Sequence, residues 1–440
     1  MNSVTLARTI SSGFLSISAM TVSSLAIVFL SSLVRSDRIG VFSGSANLPS
    51  GCRERHPRRF TEGNPECMIP AMKAIVTGAN GHIGSRIVRL LVEGGHNVRA
   101  MVRAGSDRRS LAGIEGKIEV RVGDLLDRDS LRGAMEGRTH LFHTATRFSH
   151  SPDEAEEIWG TAVEGTENVL RAAASAGSLE RIVHTSSCAT VGSSPKSDEI
   201  RDESSIAGDE MEIYRRAKIA GERAALKIAR ELGLPLVVVN PAVVLGPGDF
   251  RPTPSNRVVL RALAGGSRAY WSGGRSHVDV EDVARGHLLA AERGREGERY
   301  ILGGENITIR RAGEILAKLT GTPFPVLKLG RGTMWVLGLG LEAFGRLRAS
   351  PPRATRAQAS AACGRYMYYS SEKAERELGY SARSAEEVFV RAVAWFLCNE
   401  IAVMRGRARA RAFFEAVVGD PPEAALAPSF YLSGIAPFRS

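Results

Sequence analysis

Lys73-Ala74-Ile75-Val76-Thr77-Gly78-Ala79-Asn80-Gly81-His82-Ile83-Gly84 is the stretch on which the fold turns. Lys73 to Val76 is a short apolar run of strand type. Ile83, Ile87, Leu90 and Leu91 follow at helical spacing, and Gly94-Gly95 stops that helix. Between strand and helix lies a three-glycine loop. Gly78 permits the tight turn, Gly81 lets backbone approach a pyrophosphate, and Gly84 lets the helix sit close on the strand. The helix start supplies free N–H groups and a positive dipole end for phosphates. Such a loop alone is weak evidence, because ordinary glycine turns share it. The strand before it and the amphipathic helix after it give it meaning.

The same rhythm runs on. Val98–Val102, Ile118–Val122, His140–His143, Arg181–Thr185 and Leu236–Val239 read as the second to sixth strands. Helices are expected over Thr161–Ala176 and Met211–Leu232. Alternation of this kind implies parallel strands joined by crossover helices. The strands are apolar throughout, as a sheet covered on both faces requires. After about Gly246 the rhythm loosens. Pro247, Pro252 and Pro254 mark a loop, and Val278 and Tyr300-Ile301-Leu302 read as further short strands. Helices are expected near 310–320, 332–348, 371–378 and 384–397. The expected fold class is α/β, a doubly wound parallel sheet. A dinucleotide-binding domain is expected over 72–245, with a smaller substrate-binding lobe mainly over 246–398.

The two ends read differently. No charged residue lies between Arg8 and Arg35, and Val22 to Leu30 is apolar. Three readings of residues 1–71 stay open. They are an acid-poor transit peptide, a membrane anchor of about 20 residues, and a leader ahead of a start at Met72. Pro49 to Pro70 reads as a linker in each. Residues 399–440 alternate Arg with Ala, turn Pro-rich, and read as a tail. A membrane contact is expected only through the N-terminal extension, and the catalytic part is expected in the cytoplasm.

The chain has 440 residues, ample for a large core, and its bulk composition excludes collagen, general disorder and a disulfide scaffold. Its net charge of +11 is spread along helices among acids, with no basic run interleaved with aromatics. Nucleic acid is therefore not expected, while an anionic cofactor or substrate would profit from the field. Five cysteines, an odd number, show no zinc-ligand spacing, so a reduced compartment and no metal are expected.

The residue ending the second strand selects the cofactor. An acid there would hold a ribose hydroxyl and favour NAD. Met101-Val102-Arg103 stands here instead, and Arg103 suits a 2′-phosphate, with Arg108 or Arg109 in support. NADP is favoured, and Asp107 keeps NAD open. Asp124, ending the third strand, reads either as an adenine contact or as a helix-start acid.

Tyr214-Arg215-Arg216-Ala217-Lys218 puts Tyr214 and Lys218 on one helix face. A free phenol titrates near 10, too high for proton transfer at neutral pH, and a neighbouring ammonium favours the phenolate. Ser187 ends the fifth strand at the carboxyl edge, where such sheets bind ligands. Its hydroxyl can polarise a carbonyl or steady an alkoxide. Ser187, Tyr214 and Lys218 are the candidate catalytic residues, and hydride transfer at a carbinol or carbonyl carbon is the chemistry they suit.

Together these residues resemble the extended short-chain dehydrogenase/reductase superfamily over roughly Met72 to Phe396. The motifs are Thr77 to Gly84, Gly123-Asp124-Leu125, Val163 to Thr166, Thr185-Ser186-Ser187, Tyr214 to Lys218 and Asn240-Pro241. Asn240 to Asp249, Arg251 to Pro254, Tyr300 to Asn306 and Glu375 to Tyr380 look like hopanoid-associated sugar epimerases and dihydroflavonol-4-reductase-like proteins. The resemblance implies a Rossmann domain with an interdigitated lobe, a small-molecule substrate and a homodimer. It extends the dinucleotide contacts to Asn80, His82, Ile83, Leu125, Thr144, Ala145, Lys218, Asn240, Pro241 and Val243. Cys188 and Ala189 stand where nucleotide-sugar dehydratases usually carry acids, which argues against dehydration. Thr190-Val191-Gly192 and Ala162 also depart from the epimerase pattern and lean towards reductases. His277, Asp279 and Asp282 read as a structural turn capping a helix. A sugar epimerase and a non-catalytic dinucleotide sensor remain the alternatives.

Overall fold

The computed structural model describes residues 71–146, 154–208, 213–347 and 356–399, all within one compact unit. The expectations for residues 1–70 and for the tail from 400 lie outside the described residues. In chain order the elements are β1 Lys73–Thr77, α1 His82–Glu93, β2 Asn97–Val102, β3 Ile118–Val122, α2 Arg128–Met135 and β4 His140–His143. Next come α3 Ala155–Ala162, α4 Glu164–Ala176, β5 Arg181–Thr185, α5 Ile213–Leu232, β6 Leu236–Pro241 and β7 Val243–Leu245. Then follow α6 Arg257–Leu263, β8 Ala269–Trp271, β9 Gly273–Asp279, α7 Val280–Arg293, β10 Arg299–Leu302 and β11 Glu305–Thr308. The last are α8 Ile309–Thr320, β12 Leu327–Leu329, α9 Arg331–Leu347, α10 Arg356–Ala361, β13 Arg365–Met367, α11 Glu372–Leu378 and α12 Ala385–Cys398.

Seven parallel strands form the main sheet in the order β10-β6-β5-β4-β1-β2-β3. Successive residues of a strand face opposite sides. Ala74 and Val76 accordingly join one buried cluster, with Val88, Leu91 and Val283 of α1 and α7. Ile75 joins another, with Leu131, Val169 and Ile228 of α2, α4 and α5. Both faces are thus buried along β1, β4, β5 and β6, which is why those strands read as apolar runs, whereas the edge strand β3, with Glu119 and Arg121, stays largely exposed. The strand order reverses between β1 and β4, the place where sheets of this kind bind ligands.

Three stretches differ from the sequence reading. The helix expected over Thr161–Ala176 is two helices, broken at Val163. The break turns α3 onto α5, where Ala162 meets Gly221, while α4 keeps Gly165 against Leu125. Tyr300-Ile301-Leu302 does not belong to the smaller lobe. It lies in β10, the seventh strand of the main sheet, and the helix before it, α7, covers the same face as α1. Val243–Leu245, placed with the large domain from sequence, pairs instead with β9 of the second sheet. The chain therefore crosses between sheet and lobe more often than a cut near Gly246 implies. A buried pair of Arg86 on α1 and Glu281 on α7 fastens the returning helix.

The lobe has its own core, where α12 sets Phe389, Trp395 and Phe396 against Ile315 and Leu319 of α8 and Val259 of α6. Asp279 caps α7 by accepting from Glu281 N at 2.8 Å, and it receives Arg391 Nε from α12 at 2.8 Å. Asp282 pairs with Arg383, and His277 lies against Phe389. All three residues of that turn serve the structure.

The contact of α3 with α5 fixes the helix that carries Tyr214 and Lys218. A Cβ on Gly221 would fall on the Ala162 carbonyl, 3.1 Å from its carbon. Gly221→Val should lower stability by about 1–3 kcal/mol through overpacking, and lower turnover more than cofactor affinity. Thermal unfolding together with steady-state kinetics checks this.

Candidate active site

A cavity of about 710 Å³ runs along the carboxyl ends of the sheet strands. Gly78, Asn80, Gly81, His82, Ile83 and Gly84 form one wall. Gly78 takes φ +67°, and the loop closes through Gly81 N donating to Gly78 O at 2.9 Å. The exit of β4 supports it. Thr144 Oγ1 donates to Thr77 O at 2.7 Å, and a Cβ on Gly78 would stand 2.8 Å from Ala145 Cα. A Cβ on Gly84 would strike Gly78 O. Helix α1 then begins with no side-chain cap and no acid in its first turn. Its leading N–H groups face an anion site unopposed, so the residues present fit a dinucleotide pyrophosphate.

Arg103, Asp124, Leu125, Thr144, Ala145, Pro241 and Val243 also line the cavity. Arg103 is exposed and lies 3.4 Å from Glu157. The carboxylate of Asp107 is held by Arg109, at 2.7 and 3.0 Å to Oδ2, with Arg109 N at 3.0 Å from Oδ1. That pairing holds its carboxyl below the usual range. Asp124 accepts from Leu126 N at 2.9 Å, so it shapes the turn after β3 as well as lining the cavity. Asn80 Nδ2 donates to Asp107 O at 2.7 Å, and His82 Nε2 meets Pro247 O at 3.0 Å. The glycine loop is thereby clamped on both flanks.

Asn240 differs from its expected place. It does not line the cavity. It is fully buried behind the wall, where Nδ2 faces Glu222 at 2.7 Å, Thr190 Oγ1 at 3.0 Å and Ser187 O at 3.1 Å. It braces the turn that carries Ser187.

Ser187, Tyr214 and Lys218 all line the cavity, half-buried, half-buried and buried in turn. Ser187 ends β5 and caps the short turn Cys188–Thr190, accepting from Ala189 N at 3.1 Å. Lys218 Nζ donates to Thr185 O at 3.3 Å. Burial pulls its ammonium down to about 8, and Glu222, one turn on, opposes the fall. Thr185 is itself anchored. Burial holds His287 neutral, its Nδ1 lies 2.8 Å from Val283 O, and its Nε2 lies 2.8 Å from Thr185 Oγ1. Since Val283 O only accepts, Nδ1 carries the proton and Nε2 receives the Thr185 hydroxyl. His287 is 102 residues from Thr185 in sequence, and no local signal links them.

Arg215 and Arg275 line the cavity together with Met367 and Tyr369. Burial, and then the like charge of Arg215, pull the Arg275 guanidinium below the ordinary arginine range. Sequence reading missed Arg275, because only the β9–β13 pairing brings it to the site.

The fold and the site define an NAD(P)-dependent oxidoreductase. The sequence pattern of the NAD dependent epimerase/dehydratase family matches residues 74–303. The chain belongs to this family, an extended branch of the short-chain dehydrogenases/reductases. A protein named as a dihydroflavonol 4-reductase in Synechocystis is 39% identical over 73% of this chain and 93% of its own length. Sterol demethylase protein B of Methylococcus capsulatus is 35% identical over 74% of this chain and 98% of its own. The solved structure of the dTDP-glucose 4,6-dehydratase DesIV from Streptomyces venezuelae, with NAD bound, superposes with a TM-score of 0.60 at 26% identity. That match covers 74% of this chain and 97% of DesIV. No helix among the described residues is long and apolar enough to cross a membrane.

Below pH 8, Lys218 is charged in both folded and unfolded states, and the folded state bears the cost of burying the charge. Between 8 and the ordinary lysine value near 10.4, only the unfolded state keeps the proton, so the penalty fades as pH rises. Lys218→Met should therefore raise the stability of the unliganded protein at pH 7, by at most about 3 kcal/mol. The gain should shrink above pH 8, and turnover should be lost. Thermal unfolding across pH 6–10, in parallel with assays, checks both.

Proposed function

We propose that the chain is an NADP-linked reductase acting on a carbonyl compound that carries an anionic group. One observation carries this reading: the glycine loop, Ser187, Tyr214 and Lys218 open on one cavity, which Arg215 and Arg275 also line. The bound dinucleotide supplies hydride from nicotinamide C4. Ser187 donates its hydroxyl hydrogen to the substrate oxygen. Tyr214 delivers the proton to that oxygen as it becomes a hydroxyl. Lys218, still largely charged at neutral pH, favours the phenolate left behind and offers donors to the nicotinamide ribose. Cys188 and Ala189 supply no carboxyl for dehydration.

The preference for NADP rests on Arg103 and on the engagement of Asp107 by Arg109. A carboxylate already held by a guanidinium competes poorly for ribose hydroxyls, while Arg103, on the cavity wall, suits a 2′-phosphate. The anionic substrate rests on Arg275, with which no carboxylate pairs among the described residues. A guanidinium kept in a cavity is best satisfied by an anion.

Tyr214→Phe should cut kcat by about 10²–10⁴-fold while sparing NADPH affinity. Retained activity would remove the assignment. Arg103→Ala should weaken NADPH roughly tenfold or more and leave NADH nearly unchanged, as read by fluorescence titration. Stoichiometric NAD released on denaturing the full chain would instead mean a cofactor recycled in place, hence an epimerase.

A further inference from the structure

Sixteen large hydrophobic side chains are exposed among the described residues, and nine of them lie between Phe324 and Phe344. They belong to the approach to β12, to β12 itself, and to α9. Val326 is 70% exposed, Val336 61% and Phe344 52%. Helix α9 rests chiefly on α10, through Gly338, whose absent side chain lets it approach Arg356. Its remaining faces stay apolar and open. A helix apolar nearly all round is ordinarily covered, and a clustered exposed patch marks an interaction surface.

Among the described residues, the charged side chains on and beside this patch are mostly basic: Lys328, Arg331 and Arg356 against one acid, Glu342. Glu342 is already engaged, accepting from Arg356 N at 2.7 Å and lying 3.7 Å from its guanidinium. Trp335 lies under that guanidinium, 5.7 Å from ring centroid to Cζ, while its ring stays exposed. An apolar face with a basic border and an exposed tryptophan has the chemistry of a lipid–water interface. A two-fold contact with a second copy would set the same basic borders face to face, which like charges disfavour.

We propose that this face docks on an anionic lipid bilayer. Helix α9 has 17 residues, and no described helix is long and apolar enough to span, so the contact is interfacial. Helix α9 is tied to the segment that leads into a cavity-lining strand. Arg331 Nη2 donates to Cys363 O at 3.3 Å, and β13, which follows, brings Met367 to the cavity wall. This inference rests on surface chemistry and does not depend on the choice of reductase or cofactor.

The test uses the full chain with vesicles of phosphatidylcholine and phosphatidylglycerol whose acyl chains are brominated, read by tryptophan quenching. Wild type should be quenched more than Trp335→Phe, which isolates this one ring from Trp159, Trp271, Trp395 and any other anchor. Val336→Glu should weaken vesicle binding roughly tenfold, and salt or pure phosphatidylcholine should weaken it further. Equal quenching in wild type and Trp335→Phe would overturn the proposal. So would a dimer that Val336→Glu disperses while vesicle binding stays unchanged, since the second copy would then own the face.

Discussion

One buried carboxylate holds the site together. Glu222 lies on α5, one turn beyond Lys218, and is almost fully buried. It accepts from Asn240 of β6 at 2.7 Å and from Thr190 of the Ser187 turn at 2.9 Å, and it pairs with Arg299 of β10 at 3.0 Å. Four separate segments meet at two oxygens. A buried charge is tolerated only when it is paired and hydrogen-bonded, and removing one partner of such a group commonly costs about 3–5 kcal/mol. The same carboxylate sustains the charge on Lys218 against burial. Alignment of the catalytic helix with the end of β5 and the electrostatics of its lysine thus depend on one group.

Around that knot the buried histidines carry no charge. His143, His184 and His287 lie deep beneath the site, and burial holds all three neutral. Lys218 is then the sole buried lysine facing the cavity among the described residues, with its carbonyl partner fixed through Thr185 and His287. The glycine loop adds an uncapped helix start, and Arg215 and Arg275 add two guanidiniums to the lining. The uncapped helix start suits an anionic cofactor, and Ser187, Tyr214 and Lys218 open on the same cavity. That convergence follows from a parallel sheet, whose strands all deliver their carboxyl ends to the same edge.

Much of this was legible in the sequence, because it depends on local pattern. Strands buried on both faces must be apolar at every position, so the runs at Lys73, Val98, His140, Arg181 and Leu236 announced themselves. The glycines carry a steric requirement that no other residue meets: a Cβ at Gly84 has nowhere to go. Tyr214 and Lys218 share a face because helices repeat every 3.6 residues. These features are fixed by neighbours in the chain, and the sequence by itself determined six strands of the sheet, the glycine loop and the helix face that Tyr214 and Lys218 share.

What only the tertiary structure decided depends on partners far apart in sequence. Tyr300-Ile301-Leu302 reads as any short strand, and its place beside β6 follows from α7 covering the face of α1, fastened by Arg86 and Glu281. Asn240 sits in a motif that points to the cofactor. Its side chain turns away because a buried carboxylate 18 residues earlier needs a donor. Arg275 reaches the cavity through β9 pairing with β13, and His287 reaches Thr185 across 102 residues. Periodicity reports which face of an element is apolar. It carries no information about which distant polar group must be satisfied, which settled Asn240 and His287, or about which distant strand becomes a neighbour, which settled Arg275 and β10.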